Sequence, residues 1–306
     1  MAKKVIAIVG PTASGKTSLS IEIAKRFNGE IVSCDSMQVY KHMNIGTAKP
    51  TEEEKEGIPH YMIDEIEPDK ALNVVDFTAK AKGYIEDILS RGKLPVLVGG
   101  TGLYIDSIVN NTEFSESKKD EKYRENLMQL AEEKGNSYVH EMLKEIDIDA
   151  YNSIHENNIR RVIRALEVYH TTGKTFTQTN IDSRRDRVYD VLFLGLDMDR
   201  ETLYERINRR VDIMLEDGLI DEVKSIMEMN LGKASTAMQA IGYKEIIEWL
   251  EGRVSYEEAV ETLKMESRRY AKRQLTWFRR NSEINWLDYK NAAALGKELT
   301  EKFFGK

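Results

Sequence analysis

At 306 residues, the chain can bury one large core or two modest ones, so a single main domain carrying an insertion is the default expectation. Its one cysteine, Cys34, excludes a disulfide framework and any multi-cysteine zinc site, and its five histidines (His42, His60, His140, His155, His170) show no paired metal-ligand spacing. Charged residues make up 32% and hydrophobic ones 41%, and a net charge of −7 argues against indiscriminate binding to nucleic acid.

In chain order, Lys3 and Lys4 precede an apolar run, Val5 to Val9, that is too brief for a signal-peptide core. No later run approaches a membrane span, so the expectation is a cytoplasmic protein without membrane contact. Val5 to Val9 reads as a buried strand, Lys16 to Phe27 as a helix, Glu30 to Ser33 as a second strand and Val75 to Arg91 as a helix. Leu94 to Val98 reads as a third strand, ended by Gly99-Gly100. Strands alternating with helices predict a doubly wound parallel sheet.

From about Ser115 the sequence turns polar and helix-forming, through Lys119–Lys134, Tyr138–Glu145 and Asn157–Thr171, and reads as an inserted helical domain. Thr172 to Arg187 is the expected flexible crossing out of it. Val191 to Leu196 returns to the sheet. Helices follow over Arg200–Glu216, Asp221–Met229, Lys244–Leu250 and Ser255–Arg280, then a last strand over Ile284–Leu287 and a helix over Ala292–Phe304. The expected fold is therefore α/β, with a core over 1–114, a helical insertion over 115–187, and a return to the core with a helical C-terminal region over 188–306.

Lys264 to Arg280 holds seven basic residues against one acid, Glu266, on an otherwise acidic chain. Such a strip suggests one anionic partner held at one place. It interleaves Trp277 and Phe278 with Lys272, Arg273, Arg279 and Arg280, which suits base stacking, although packing in the core is the favoured reading for the two aromatic residues.

Gly10-Pro11-Thr12-Ala13-Ser14-Gly15-Lys16-Thr17 fits G-x-x-x-x-G-K-[ST] directly between a strand and a helix. Its glycines let backbone N–H groups wrap phosphate oxygens, Lys16 adds positive charge, and the Thr17 hydroxyl can ligate Mg²⁺. The motif signals a polyphosphate rather than ATP. The strand at 94–98 ends in Gly99-Gly100-Thr101, without the acid that positions Mg²⁺ in most nucleotide-hydrolysing relatives, which weakens that reading. Asp35 follows the second strand at the edge where such sheets hold ligands. General base, Mg²⁺ ligand and turn cap all stay open for it.

Together with 10–17, the segments Asp35-Ser36-Met37-Gln38-Val39-Tyr40, Ile45-Gly46-Thr47-Ala48-Lys49-Pro50, Val98-Gly99-Gly100-Thr101-Gly102-Leu103-Tyr104, Arg164-Ala165-Leu166-Glu167-Val168, Ala240-Ile241-Gly242-Tyr243-Lys244 and Tyr270 to Arg279 resemble the bacterial tRNA dimethylallyltransferases, in order and over nearly the whole chain. With one cysteine, the zinc-finger extension of eukaryotic relatives is not expected. The resemblance implies transfer of a dimethylallyl group from dimethylallyl diphosphate to N6 of adenosine 37 beside the anticodon, with Mg²⁺, by a monomer. It implies Asp35 as general base, and Lys16, Thr101 and Arg210 as partners of the diphosphate. It implies Ser36, Met37 and Gln38 at the extruded base, and Arg160, Arg161 and Arg164 on the anticodon stem-loop. Gln239, Gly242, Lys244, Lys272, Arg273 and Arg279 are implied as further tRNA contacts. A solvated helix face is the alternative for Arg210 and for the three insert arginines. Competing readings are an adenylate isopentenyltransferase using a free nucleotide, a P-loop small-molecule kinase and a non-catalytic RNA-binding protein.

Overall fold

The computed structural model describes residues 3–112, 120–183, 185–232 and 235–305. The chain forms two compact units, Met1–Val109 with Arg187–Lys306, and Asn110–Asp186. The expected start of the insertion, between residues 114 and 115, lies outside the described residues.

The larger unit is built on β1 (Lys3–Val9), α1 (Lys16–Arg26), β2 (Gly29–Ser33), α2 (Glu52–Lys55), β3 (His60–Tyr61), α3 (Val74–Ser90), β4 (Leu94–Gly99) and α4 (Gly102–Val109). The second unit follows as five helices: α5 (Glu121–Lys134), α6 (Asn136–Ile146), α7 (Ile148–Ser153), α8 (Ile159–Thr172) and α9 (Phe176–Asp182). The chain then returns with β5 (Tyr189–Asp197), α10 (Arg200–Glu216), α11 (Leu219–Glu228), α12 (Tyr243–Leu250), α13 (Tyr256–Phe278), β6 (Asn285–Asp288) and α14 (Ala292–Phe303).

The six strands form one sheet in the order β3-β2-β4-β1-β5-β6, and every pairing is parallel. Val5 to Val9 are fully buried, as a central parallel strand covered on both faces requires. Val5, Ala7 and Val9 pack into the core beneath α3, α4 and α10–α13, while Ile6 and Ile8 pack against α1 and α14 on the other face. The sequence reading misses β3, α2, α4 and α7, which are too short for periodicity to register.

In the helical unit, Leu127, Val139, Leu143, Val162 and Leu166 form a core of their own. The segment expected as a flexible crossing contains α9, and its order has a cause. Asp147 caps α7 through the Ala150 N–H (3.0 Å) and also accepts the N–H and hydroxyl of Thr177 (both 2.8 Å). Glu167 is wholly buried and holds the Arg124 guanidinium through both oxygens (2.7 and 2.8 Å), the Asp120 N–H (2.9 Å) and Arg164. Despite the cost of burial, these donors keep its carboxyl below the usual range.

A second buried acid, Glu30, sits on β2 at 1% exposure. Arg91 binds it bidentately (2.7 and 2.6 Å), Lys93 approaches to 2.6 Å, and the Tyr61 hydroxyl donates at 2.8 Å. The Arg91 hydrogen bonds outweigh desolvation and depress its pKa from 4.5 to about 2. Because the folded-state value lies below the unfolded one, the stabilisation from Glu30 is full above pH 4.5 and is lost as the pH falls through about 2. Glu30→Gln should destabilise the protein at pH 7 by about 3 kcal/mol, since it removes the carboxylate that Lys93 and Arg91 share and leaves Arg91 only Asp87. Urea unfolding from pH 7 down to pH 2 should show that gap narrowing with acid.

Candidate active site

In parallel neighbours the carboxyl ends of β1, β4 and β2 share one edge, and three loops leave the sheet there. The loop after β1 turns at Gly10 (φ 148°) and enters α1 through Gly15 (φ 95°), a left-handed conformation that glycine adopts without strain. Ala13 adopts φ 62°, which costs a side-chain-bearing residue roughly 1 kcal/mol. No acid occupies the first turn of α1, so its free N–H groups are available to an anion. The Ser14 hydroxyl is buried without a hydrogen-bond partner among the described residues, an orphaned polar atom inside the turn.

Lys16 folds back to donate to the Pro11 carbonyl at 2.7 Å. Burial, then the nearby Arg210 charge, lower its pKa from 10.5 to about 8 against the opposing pull of Asp35. Arg210 reaches the same loop from α10, with Nη1 3.5 Å from the Thr12 hydroxyl. It lines both cavities of the unit, so the solvated-face reading of Arg210 does not hold.

The loops after β2 and β4 lock together. Cys34 N–H donates to the Val98 carbonyl (2.7 Å), and Thr101 N–H to the Cys34 carbonyl (3.2 Å). Asp35 Oδ1 accepts the N–H groups of Met37 (2.8 Å) and Gln38 (3.3 Å), and Thr101 Oγ1 accepts the N–H of Ser36 (3.2 Å). One carboxylate oxygen thus caps its own turn, which leaves Oδ2 for other work. The cap reading and the chemical readings of Asp35 are compatible.

Two cavities meet here. The smaller, 90 Å³, is lined by Lys16, Thr17, Ser20 and Ser33, and the larger, 290 Å³, by Ser36, Met37, Gly46, Gln239, Gly242 and Arg273 with an apolar wall of Ile207, Val211, Met214 and Leu263. Thr12, Asp35, Thr47, Arg210 and Tyr270 line both. Tyr270, half-buried and close to the Asp35 charge, has its phenol pushed up to about 12 by desolvation and stays protonated.

The structure spreads the remaining sequence candidates. Gln38 donates its amide N–H groups to the carbonyls of Thr47 (3.3 Å) and Ala48 (3.1 Å) and accepts the Ser33 hydroxyl (3.1 Å). Most of its capacity is therefore spent on the protein. Lys244 lies 3.4 Å from Glu245, and Arg279 3.5 Å from Asp197. Lys272 is exposed on α13. Trp277 donates to Asp106 (2.8 Å) and packs on Gly102, and Phe278 is 3% exposed, so both aromatic residues belong to the core. Arg160 and Arg161 are exposed on α8 of the helical unit, whereas Arg164 is tied to Glu167.

Gln274, which sequence reasoning passed over, bridges two of the loops. It accepts the Thr12 N–H (2.8 Å) and donates to the Gly100 carbonyl (3.1 Å). Ser267, Tyr270 and Gln274 recur at helical spacing on one face of α13. Polar residues repeating on the inward face of a long helix were the available signal.

A family model described as IPP transferase matches residues 38–281. A tRNA dimethylallyltransferase of Acetivibrio thermocellus is 55% identical over 285 residues, covering 93% of this chain and 91% of that one. Another, from Thermoanaerobacter sp. (strain X514), is 50% identical over 312 residues, covering 100% and 99%. Among solved structures, the tRNA isopentenylpyrophosphate transferase of Bacillus halodurans matches with a TM-score of 0.74 at 45% identity, covering 98% of this chain and 96% of that one. A eukaryotic dimethylallyltransferase acting on tRNA matches with a TM-score of 0.83 at 33% identity, covering 99% and 80%. With the family model spanning residues 38–281 and relatives of 50–55% identity covering nearly the whole chain, the chain belongs to the IPP transferase family and is a prenyltransferase.

Proposed function

We propose that the protein transfers a dimethylallyl group from dimethylallyl diphosphate to N6 of adenosine 37 in the tRNA anticodon loop and releases diphosphate. The observation that carries this reading is the position of Asp35 where a cavity lined by Thr12, Lys16 and Thr17 opens into a larger, partly apolar one. The diphosphate would sit on the α1 N-terminus with Lys16, and Arg210 and Thr12 would reach its outer oxygens. The extruded adenine would enter the larger cavity, whose polar rim offers Ser36 and Gln239 for its edge.

An exocyclic adenine amine is a weak nucleophile because its lone pair is delocalised into the ring. As the N6–C bond forms and the C–O bond to diphosphate breaks, the amine must lose a proton, and Asp35 Oδ2 is placed to accept it. Charge builds on the departing diphosphate at the same moment, and fixed donors aimed at it lower the barrier. Tyr270 remains a neutral hydroxyl beside Asp35 and does not compete as a second base.

Thr17 and Asp35 line the smaller cavity together, and among the described residues no group of three or more His, Cys, Asp or Glu forms a metal cage. That donor set suits Mg²⁺, which takes few protein ligands and completes its shell with phosphate oxygens and water. When bound, it would neutralise charge on the leaving diphosphate. Arg160 and Arg161 on α8 and Lys272 on α13 would meet the phosphates of the anticodon stem-loop. Among the described residues no helix is long and apolar enough to cross a membrane. With tRNA as acceptor, we place the reaction in the cytoplasm, carried out by single copies.

Incubation with dimethylallyl diphosphate, Mg²⁺ and either unmodified tRNA or AMP, followed by nucleoside mass spectrometry, should yield prenylated adenosine from the tRNA alone; product from AMP alone would shift the acceptor to a free nucleotide. Asp35→Asn should bind both substrates and lose turnover by roughly 10²–10⁴-fold. A near-wild-type rate would remove Asp35 as the base. Arg210→Ala should cost about 10² in kcat through lost leaving-group stabilisation, measured in single-turnover transfer. Arg161→Gln should lower the salt slope of tRNA binding by about one unit, and an unchanged slope would remove that phosphate contact.

A further inference from the structure

We infer that Glu222, on α11, is a positioning residue for prenyl transfer, fixing the 44–47 loop as a wall of the larger cavity and, through that loop, the turn that presents Asp35. The inference rests on the function proposed above for the same cavity. Glu222 gathers three consecutive backbone donors. It accepts Asn44 N–H at 2.7 Å, Ile45 N–H at 2.8 and 3.1 Å, and Gly46 N–H at 2.9 Å, while the Tyr243 hydroxyl donates at 2.6 Å. Successive N–H groups that converge in this way form an anion-binding concavity, filled here by a side chain of the protein itself. Gly46 lies under the Tyr243 ring, where a Cβ would come within 2.5 Å of Cε2, so the loop is pressed against α12 as well.

The far end of the loop is coupled to the reacting carboxylate. Thr47 and Ala48 present their carbonyls to the Gln38 amide, and the Gln38 N–H is one of the two donors that cap Asp35 Oδ1. Gly46 and Thr47 line the larger cavity. Glu222 therefore sets both a wall of the acceptor space and the tether of Asp35, while the Lys16 and Gln274 contacts that shape the phosphate turn do not pass through it. An amide at position 222 has one acceptor oxygen, and its NH₂ would face a backbone N–H, so the loop would part from α11.

Glu222→Gln should therefore lower kcat about 100-fold, the usual consequence of a misplacement near 1 Å, while the affinity for inorganic diphosphate, held chiefly by the turn at 10–17, falls far less. Glu222→Asp, which keeps both oxygens and the charge, should recover most of that loss. Hydrogen exchange at the Asn44, Ile45 and Gly46 amides should accelerate in Glu222→Gln. Should that variant melt early, Tyr243→Phe removes one donor, keeps the carboxylate, and should show the same pattern more weakly. Wild-type kcat in a folded Glu222→Gln would overturn the inference, and so would an equal loss of diphosphate affinity or unchanged exchange at those amides. A wild-type protein that transfers no prenyl group would sink the proposed function instead, and the exchange measurement would still decide whether Glu222 clamps the loop.

Discussion

The carboxyl ends of β2 and β4 close on each other because Gly99 has no side chain: a Cβ there would stand 2.2 Å from the Cys34 carbonyl oxygen. That approach lets the Cys34 carbonyl accept the Thr101 N–H, which in turn places the Thr101 hydroxyl under the Ser36 N–H. Gly100 is under the same pressure, with Gln274 where its Cβ would be. The loops after β1, β2 and β4 consequently share partners, and Asp35, Thr12 and Gln274 are held by contacts that depend on that closure. An ordinary strand end would keep them apart by the width of a side chain.

Within this frame the charges are deliberately unbalanced. Lys16 and Arg210 repel one another, and the Asp35 carboxylate offsets that repulsion only in part. Burial lowers the pKa of both cations, so each is favoured in its charged form by an arriving anion. The diphosphate of the proposed reaction would bring counter-charge, and acceptors for the N–H groups of α1 and the orphaned Ser14 hydroxyl.

The phosphate turn was legible in the sequence because its chemistry is local: two glycines, a lysine and a threonine at fixed spacing between a strand and a helix. The parallel sheet was legible for the same reason, through Val5–Val9 and Leu94–Val98, whose uninterrupted apolar runs suit strands buried on both faces. What escaped was tertiary. Nothing near Glu222 announces that it will collect donors from residues 44–46, and nothing near Gln274 announces a bond to Thr12, 262 positions away. Arg164 illustrates the converse. Its sequence neighbours make a basic helix face, yet its partner Glu167 is buried one turn on, beside an Arg124 that local patterning does not link to it.

Cys34 lies at the seam of β2 and β4 next to Asp35, fully buried, with its thiol pushed far above the ordinary range by desolvation and the neighbouring carboxylate. An electrophile needs a thiolate and a path, and the closed seam offers neither. Alkylation of this lone thiol can proceed only in molecules whose two strand ends have parted, so its rate is a clock for opening at the floor of the pocket. The chain thus carries, beside Asp35, a built-in chemical gauge of how often that floor breathes.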